Sequence, residues 1–348
     1  MYDFRSDTVT KPTAEMMAAV ATAEVGDAAR GDDPTTNELE AVAAALTGKE
    51  AALFAPSGTM ANLAALLTHV RPGDEVIVDE TAHIYNSEAG SLSAVAGAVP
   101  RPVRSADGFM DPSDVAAAVR GGASGHVAPT GLVCLENTHN AAGGIALPVE
   151  YMAEIARVAK AANLPVHLDG ARLFNAAAFL DKPVADFCAP VDTAMFALSK
   201  GLGAPIGSVL VGSQSFVDRA RKKFRMLGGG MRQVGLIAAP ALVALNDPLP
   251  RLRRDHAMAT RLAKGLADID ESLVRLDRVQ TNIVNCFVDR FAPEASDFVQ
   301  SLSEAGILAN FARTKVRFVT HAHIDEEAVD ACVAAVGKIV GASRSAAA

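Results

Sequence analysis

The chain has 348 residues, of which 50% are hydrophobic and 21% charged, and its formal net charge is −8. This length suits one large domain with one smaller one, and the composition is that of an ordinary soluble globular protein. The acidic balance disfavours nucleic acid and anionic membranes as partners. Because no apolar run reaches the roughly 18 residues of a membrane span or forms a secretory core, we expect a cytoplasmic protein.

From about residue 38 to 240, short apolar runs alternate with alanine-rich helical stretches. We predict strands over Glu75–Asp79, Gly131–Leu135, Leu164–Leu168, Thr193–Ala197 and Ser208–Val211. Helices are predicted from Asn37 to Leu46, opened by an Asn37-x-x-Glu40 capping pattern, and from Val149 to Ala162. Continuously apolar strands are typical of parallel sheets that are buried on both faces. The alternation therefore predicts an α/β, doubly wound and mainly parallel large domain.

The character of the chain changes after the proline-bearing break Asn246–Pro250. The predicted elements that follow are a charged helix Arg251–Ile269, an alternating strand Asn282–Val288, a helix near Ala295–Ala305, a strand Lys315–Val319 and a helix from Glu326. This order predicts a small α+β domain. We therefore divide the chain into a large domain, residues 1–250, and a small C-terminal domain, residues 251–348.

A lysine and an aspartate stand near the ends of two of these strands. Lys200 lies where the strand through Ala197 runs into a glycine-rich turn, and Asp169 ends the strand one unit earlier. A lysine walled by apolar neighbours has a lowered pKa and can form an imine with an aldehyde cofactor. Pyridoxal 5'-phosphate (PLP) also needs a carboxylate beside its ring nitrogen. Alone, Lys200 would be interpreted as a surface lysine in a turn and Asp169 as a helix cap. Together they predict a PLP enzyme.

Other residues supply what PLP requires besides a lysine and a carboxylate. Ser57, Gly58 and Thr59 form a small-residue turn before a helical stretch, where free N–H groups and hydroxyls suit a phosphate, although a simple helix cap is the alternative. His83 follows the strand ending at Asp79 and is expected to stack on the cofactor ring. His126 and His139 also lie near strand ends and are further candidates for this site.

Three arginines are candidates for binding anions. Arg172 follows Asp169 by three residues, and Arg317 interrupts an apolar strand, so either can clamp a substrate carboxylate. For Arg317, an ion pair across the domain interface is an equal alternative. Arg232 follows the glycine run at residues 228–230, which either forms a plain flexible loop or directs Arg232 toward a phosphate. In the second interpretation the phosphate can belong to another subunit.

We predict no metal site. The four cysteines, Cys134, Cys188, Cys286 and Cys332, lie in apolar surroundings without paired spacing, so buried free thiols are expected. The histidines at 321 and 323 form a two-residue motif without further ligands, which we interpret as structural or exposed.

Seven ungapped motifs together resemble the low-specificity L-threonine aldolases: Phe4–Thr10, Gly31–Thr35, Pro56–Met60, Leu135–Asn140, His167–Arg172, Ser199–Pro205 and Gly228–Gln233. The resemblance implies fold type I, the aspartate-aminotransferase fold, and homotetramers built as dimers of dimers with shared active sites. It further implies an imine at Lys200, ring contacts from Asp169 and His83, and phosphate contacts from Gly58, Thr59 and a partner's Arg232. Ser6, Arg172 and Arg317 would then bind the substrate carboxylate, and His126 would lie near the substrate hydroxyl.

The reaction so implied is reversible cleavage of an L-β-hydroxy-α-amino acid, such as L-threonine or L-allo-threonine, to glycine and an aldehyde. His83, His126 or a bound water would activate the β-hydroxyl group, and the sequence does not choose among them. The alternatives are another fold type I enzyme, such as an aminotransferase or a serine hydroxymethyltransferase-like protein, and a PLP-binding protein without turnover. A cofactor-free lysine aldolase would call for an eightfold βα pattern, which this sequence lacks.

The sequence departs from the family pattern at Arg30, where an aromatic residue is common, at Ala28–Ala29, at Pro129 and at Arg225. A flexible cation cannot reproduce aromatic packing at a site entrance, so we expect Arg30 to alter substrate preference toward polar or acidic β-substituents. Relative kcat/KM values of an Arg30→Tyr variant over a panel of β-hydroxy amino acids would measure this. Unchanged ratios would contradict it.

Overall fold

The computed structural model describes residues 1–121, 125–312 and 314–347. Its strands are β1 Tyr2–Asp3, β2 Ala51–Ala55, β3 Glu75–Asp79, β4 Val99–Val103, β5 Ser105–Ala106, β6 Phe109–Met110, β7 Thr130–Glu136, β8 Val166–Gly170, β9 Thr193–Ala197, β10 Ser208–Gly212, β11 Ile283–Phe287, β12 Ile307–Leu308, β13 Asn310–Ala312 and β14 Lys315–Val319. Its α-helices are α1 Ala14–Thr22, α2 Pro34–Thr47, α3 Gly58–His69, α4 His83–Asn86, α5 Ser91–Ala94, α6 Pro112–Ala118, α7 Val149–Ala161, α8 Leu173–Leu180, α9 Val184–Cys188, α10 Gln214–Met226, α11 Gly235–Leu245, α12 Leu249–Ile269, α13 Ala295–Glu304 and α14 Glu326–Ala347.

The central sheet has seven strands in the order β2-β10-β9-β8-β7-β3-β4. All neighbouring pairs are parallel except the two made by β10, which is antiparallel to both β9 and β2. The five strands β2, β3, β8, β9 and β10 are buried along their whole length, as expected for a sheet covered on both faces. The predicted doubly wound, mainly parallel fold is confirmed, and the carboxyl ends of β3, β7, β8 and β9 meet at one edge.

The predicted capping pattern at Asn37 is wrong. Helix α2 begins three residues earlier, at Pro34, because Asp33 accepts a hydrogen bond from the Thr36 N–H at 2.8 Å and proline suits the first helical position. The sequence analysis also missed β2 and β4. Strand β4 contains two prolines, Pro100 and Pro102, which are tolerated because β4 is an edge strand paired only with β3.

The C-terminal part of the chain builds a second sheet, β11-β14-β13, which is wholly antiparallel. Its core includes residues of α12, α13 and α14 and also Phe4, because β1 pairs with β12 and carries the N-terminal segment there. Helix α12 begins at Leu249, next to the proposed boundary at residue 250, and the division into two domains stays a prediction. All four cysteines are buried and free, as predicted. Within the described ranges, no helix is both long and apolar enough to cross a bilayer.

Candidate active site

The sheet edge at which the parallel strands end carries a cavity of about 190 Å³. Open α/β sheets bind ligands at this edge. The cavity is lined by Gly58, Thr59, Asn62, His83, Glu88, Asp169, Ala171, Met195, Ala197, Ser199 and Lys200. Five of the residues singled out from the sequence therefore share one cavity, namely Gly58, Thr59, His83, Asp169 and Lys200.

Lys200 lies three residues beyond the end of β9, in the turn that leads to β10. A Cβ atom on Gly201 would lie 2.7 Å from Leu252 Cδ2, so a side chain in the turn after Lys200 would require Leu252 to shift. Removal from bulk water and the charge of Arg172 both lower the pKa of Lys200, against the opposing effect of nearby carboxylates. A lysine with a lowered pKa is more often neutral and nucleophilic near pH 7.

Asp169 lies on β8 with its carboxylate fixed by two donors. Its Oδ1 accepts the Ala171 N–H at 3.1 Å, and its Oδ2 accepts Asn62 Nδ2 at 2.9 Å. Asn62 is 1% exposed and lies one turn after Gly58 on α3. The sequence analysis missed Asn62, although its i,i+4 spacing from Gly58 places both residues on the helix face toward the cavity. An oriented, buried carboxylate fits the ring nitrogen of PLP.

His83 and Glu88 lie beside Asp169 in the cavity. Glu88 Oε1 accepts from Asn62 Nδ2 at 2.8 Å and lies 3.1 Å from His83 Nδ1, and its buried Oε2 has no hydrogen-bond partner among the described residues. The hydrogen bond to Glu88 raises the pKa of His83, more than burial lowers it. Glu136 at the end of β7 accepts the His83 backbone N–H at 2.6 Å and so fixes the start of α4. The sequence analysis missed both glutamates.

Ligand atoms of His83, Glu88 and Asp169 lie within 4.8 Å of one another, a spacing that a divalent cation would accept. However, the amide group of Asn62 donates to both carboxylates. A cation at this position would face the N–H groups of Asn62, which repel positive charge. The three side chains instead suit a planar heterocycle with its face against His83 and its ring nitrogen beside Asp169.

The first turn of α3 is the candidate phosphate site. Ser57 caps the helix with its Oγ, which accepts the Met60 N–H at 3.2 Å, so the capping alternative is realised for Ser57. A Cβ atom on Gly58 would lie 2.9 Å from Met195 Cε, so a larger residue here would displace the end of the Met195 side chain. Gly58 and Thr59 line the cavity at the positive end of a twelve-residue helix, where an anion is stabilised.

Arg172 is buried and committed to a carboxylate of the N-terminal segment. Its Nε and Nη2 each donate to Asp7 at 2.7 Å, and its Nη1 donates to Asn140 Oδ1 at 3.2 Å. Arg317 Nη1 donates to the same Asn140 oxygen at 3.1 Å. Two guanidinium groups thus converge on a single neutral acceptor, an arrangement suited to an additional carboxylate. Asp7 and Asn140 were not singled out, although both lie inside the motifs quoted above.

Arg317 makes no ion pair with a carboxylate in the described part of the chain, so the alternative of a salt bridge across the domains is not realised. Burial and the neighbouring Arg172 lower its pKa, and its Nε has no hydrogen-bond partner among the described residues. Ser6 caps the short 3-10 helix Asp7–Val9 and accepts the Thr8 N–H at 3.2 Å. It therefore lies beside the carboxylate that holds Arg172.

Arg232 and Arg30 do not line this cavity. Arg232 is more than half exposed and donates to both Asp27 oxygens, at 3.2 and 3.1 Å, and Arg30 Nε lies 3.5 Å from the same carboxylate. The two arginines therefore belong to one surface cluster around Asp27.

His126 and His139 do not line the cavity either. His126 is exposed and precedes the first residue of β7 by four positions. Because β7 has seven extended residues, its first residue lies about 20 Å from Glu136 at the cavity end of the strand. His139 is 1% exposed and its Nε2 lies 3.3 Å from Asp79 Oδ1, so it supports the loop after β7. The other histidine pair binds the N-terminal segment: His321 contacts the Asp3 carbonyl and His323 accepts the Lys11 N–H.

Comparison with known proteins identifies the family of the chain. The sequence model of the beta-eliminating lyase family matches residues 3–289. "Probable low-specificity L-threonine aldolase 2" of Arabidopsis thaliana is 43% identical, over 97% of this chain and 96% of that protein. "Low specificity L-threonine aldolase" of Escherichia coli K12 is 41% identical, over 94% of this chain and 96% of that protein.

Solved structures show the same fold. A threonine aldolase of Leishmania major superimposes with a TM-score of 0.81 at 20% identity, over 98% of this chain and all of that chain. Serine palmitoyltransferase of Sphingomonas wittichii superimposes with a TM-score of 0.79 at 18% identity, over 99% and 88% of the two chains. These likenesses confirm fold type I. By its sequence, the chain belongs to the beta-eliminating lyase family, in the group of the low-specificity L-threonine aldolases.

Proposed function

We propose that this protein is a PLP-dependent aldehyde-lyase that cleaves L-threonine, L-allo-threonine and other L-β-hydroxy-α-amino acids reversibly to glycine and an aldehyde. The observation that carries the proposal is one cavity holding a lysine of lowered pKa, an oriented aspartate, a histidine and a free helix start. The names of relatives at 41–43% identity over nearly the whole chain support the choice of reaction.

PLP, when bound, supplies a positively charged ring that accepts the electrons of the breaking Cα–Cβ bond. Lys200 would hold it covalently, Asp169 would pair with the ring nitrogen, and His83 would lie against the ring face. Gly58 and Thr59, with the cap at Ser57, would hold the phosphate at the start of α3. Each of these assignments remains a proposal.

The substrate carboxylate would bind between Arg172 and Arg317, with Ser6 at its side. In the structure Asn140 Oδ1 lies within 3.2 Å of both guanidinium groups and is the acceptor that a carboxylate would join or displace. This clamp would decide which bond at Cα stands perpendicular to the ring, and that choice separates aldol cleavage from transamination.

His83 is our candidate for the group that takes the proton of the β-hydroxyl. With Nδ1–H held by Glu88 at 3.1 Å, a neutral His83 presents Nε2 as an acceptor, and its raised pKa makes it a stronger base. His126 and a bound water remain the alternatives.

The proposed reaction is tested by initial rates with L-threonine, L-allo-threonine, L-serine and phenylserine on one preparation, with aldehyde and keto acid measured separately. Aldehyde release in stoichiometry with glycine would support the proposal. Keto-acid formation would instead assign an aminotransferase. A yellow protein that releases no aldehyde from any of the four substrates would favour a PLP-binding protein without turnover.

We further propose a cytoplasmic homotetramer, a dimer of dimers, in which Arg232 of one subunit completes the phosphate site of another. Arg232 lies outside its own chain's cavity, in the segment that follows α10, and Met226 at the end of α10 is 76% exposed. Arginine and methionine are both enriched at protein interfaces.

Shared sites predict complementation between Lys200→Ala and Arg232→Ala. In a hybrid dimer one site carries both substitutions and the other carries neither, so a random mixture should recover about a quarter of wild-type activity. The two chains would be co-expressed at equal levels, purified together without selection for hybrids, and assayed. Lys200→Ala with Asp169→Ala is the matched control, because both residues line one cavity and no hybrid site is intact. Recovery no greater in the first mixture than in the control would contradict shared sites.

A further inference from the structure

A chain of buried hydrogen bonds leads from the far edge of the sheet to Asp169. His69 Nε2 lies 2.8 Å from Thr193 Oγ1, and the same oxygen lies 2.9 Å from His167 Nδ1. His167 Nε2 lies 3.1 Å from Asn62 Oδ1, and Asn62 Nδ2 donates to Asp169 Oδ2 at 2.9 Å. None of Thr193, His167 and His69 lines the cavity. We name these three residues with Asn62 the relay.

The direction of every bond in the relay follows from its end at the carboxylates. Asn62 Nδ2 contacts Glu88 and Asp169 oxygens, so that atom is the NH2 group and the amide oxygen faces His167. His167 Nε2 must therefore carry a hydrogen and donate it. Burial lowers the pKa of His167 to about 3, so at neutral pH its Nδ1 has no hydrogen and accepts one from the Thr193 hydroxyl.

The remaining bond is then fixed too. Since the Thr193 hydrogen is used on His167, its oxygen accepts from His69 Nε2–H. Burial lowers the pKa of His69 to about 4, so this ring is also neutral. The successive donors are His69, Thr193, His167 and Asn62, and all point toward Asp169. Hydrogen bonds aligned in one direction polarise one another and strengthen the last one.

The backbone holds the relay in register. His167 and Thr193 are paired residues of the parallel strands β8 and β9, and Asn62 and His69 lie seven residues apart on α3, which covers this face of the sheet. His167 is 0% exposed, and Thr193 and Asn62 are each 1% exposed, so water does not compete for these bonds. Asp169 follows His167 by two residues on the same strand and therefore on the same face.

We propose that Thr193 and His167 are positioning residues that act through Asn62 to keep the Asp169 carboxylate aimed at the cofactor's ring nitrogen. The proposal rests on the proposed function, because it needs a cofactor ring beside Asp169. Without Thr193 and His167 in place, the Asn62 amide loses the donor that fixes its orientation, and the shorter of the two hydrogen bonds to Asp169 is weakened. The carboxylate then holds a proton on the ring nitrogen less firmly.

Thr193→Val and Thr193→Ser separate this role from packing. Valine keeps the shape of threonine and removes the hydroxyl, whereas serine keeps the hydroxyl and leaves a small cavity. We expect Thr193→Val to raise the dissociation constant of PLP about fivefold to tenfold. It should also move the pH midpoint of the bound cofactor's visible absorbance upward, because a less protonated ring leaves the Lys200 nitrogen more basic. Thr193→Ser should match the wild type in both measurements.

Thr47→Val is a control for the substitution itself, since Thr47 is 1% exposed and its hydroxyl bonds only to carbonyls of its own helix. If Thr193→Val does not fold, His69→Phe provides a second test, because His69 is the half-buried first residue of the relay. It should shift the pH midpoint of the cofactor's absorbance in the same direction. Equal behaviour of the valine and serine variants, or no shift in His69→Phe, would overturn the relay. A wild-type protein that binds no PLP at Lys200 would instead overturn the proposed function.

Discussion

Replacement of Lys200 by alanine is expected to abolish the cofactor adduct that borohydride traps and to lower kcat for L-threonine by at least about 10³-fold. Lys200 is the amine that reaches the cavity between Asp169 and the start of α3. Its lowered pKa supplies the neutral form that attacks an aldehyde. Peptide mapping after borohydride reduction would find the label on Lys200 in the wild type and none in the variant.

Lys49→Ala is the matched control. Burial also lowers the pKa of Lys49, whose Nζ donates to the Val191 carbonyl at 2.5 Å, before β9 begins and thus at the opposite edge of the sheet. This variant should keep the trapped adduct and a kcat within about twofold of wild type, since it lies far from the chemistry. A label on any lysine other than Lys200 would contradict the assignment.

The fold and the centre of the site could be predicted because they depend on local pattern. Strands β3, β7, β8 and β9 read as apolar runs, and the residues that end them had to meet at one edge of a parallel sheet. Asp169, Lys200 and His83 could therefore be grouped from the sequence alone. Strand β4 escaped notice because its prolines argue against a strand unless it is known to lie at the edge.

The partners of these residues could not be predicted, because they depend on tertiary packing. Asp7 is 165 positions from Arg172, and Asn62 is 107 positions from Asp169, so no local spacing joins them. The relay through His167 depends on the register of β8 against β9, which the sequence does not specify. Arg232 was expected to approach the phosphate of a partner subunit, which stays a prediction, and within its own chain it contacts Asp27.

Replacement of Asp7 by asparagine is expected to lower the free energy of unfolding at pH 7 by about 3–5 kcal/mol, because it leaves the buried Arg172 without a counter-charge. Asp7 is 0% exposed and Arg172 is 6% exposed, and two bonds of 2.7 Å join them. Chemical denaturation would measure the change. The KM for L-threonine should also rise, since Arg172 is no longer held beside Arg317.

Asp181→Asn is the matched control, because Asp181 also pairs with an arginine, Arg253 at 2.5 Å, but is 86% exposed. Its effect on the free energy of unfolding should stay within about 0.5 kcal/mol. An equal effect of the two substitutions would show that the pair of Asp7 and Arg172 does not stabilise the fold.

The dependence of stability on pH has a definite sign for this pair. Burial raises the pKa of Asp7, but the Arg172 guanidinium lowers it by more, to about 2. The unfolded value is about 3.9, so folding favours the ionised form, and the contribution is complete above about pH 4. It is lost as the pH falls from about 4 to 2. Over that interval the gap in unfolding free energy between wild type and Asp7→Asn should narrow by roughly 2 kcal/mol. A gap that stays constant across this range would show that Asp7 does not titrate with a lowered pKa in the folded protein.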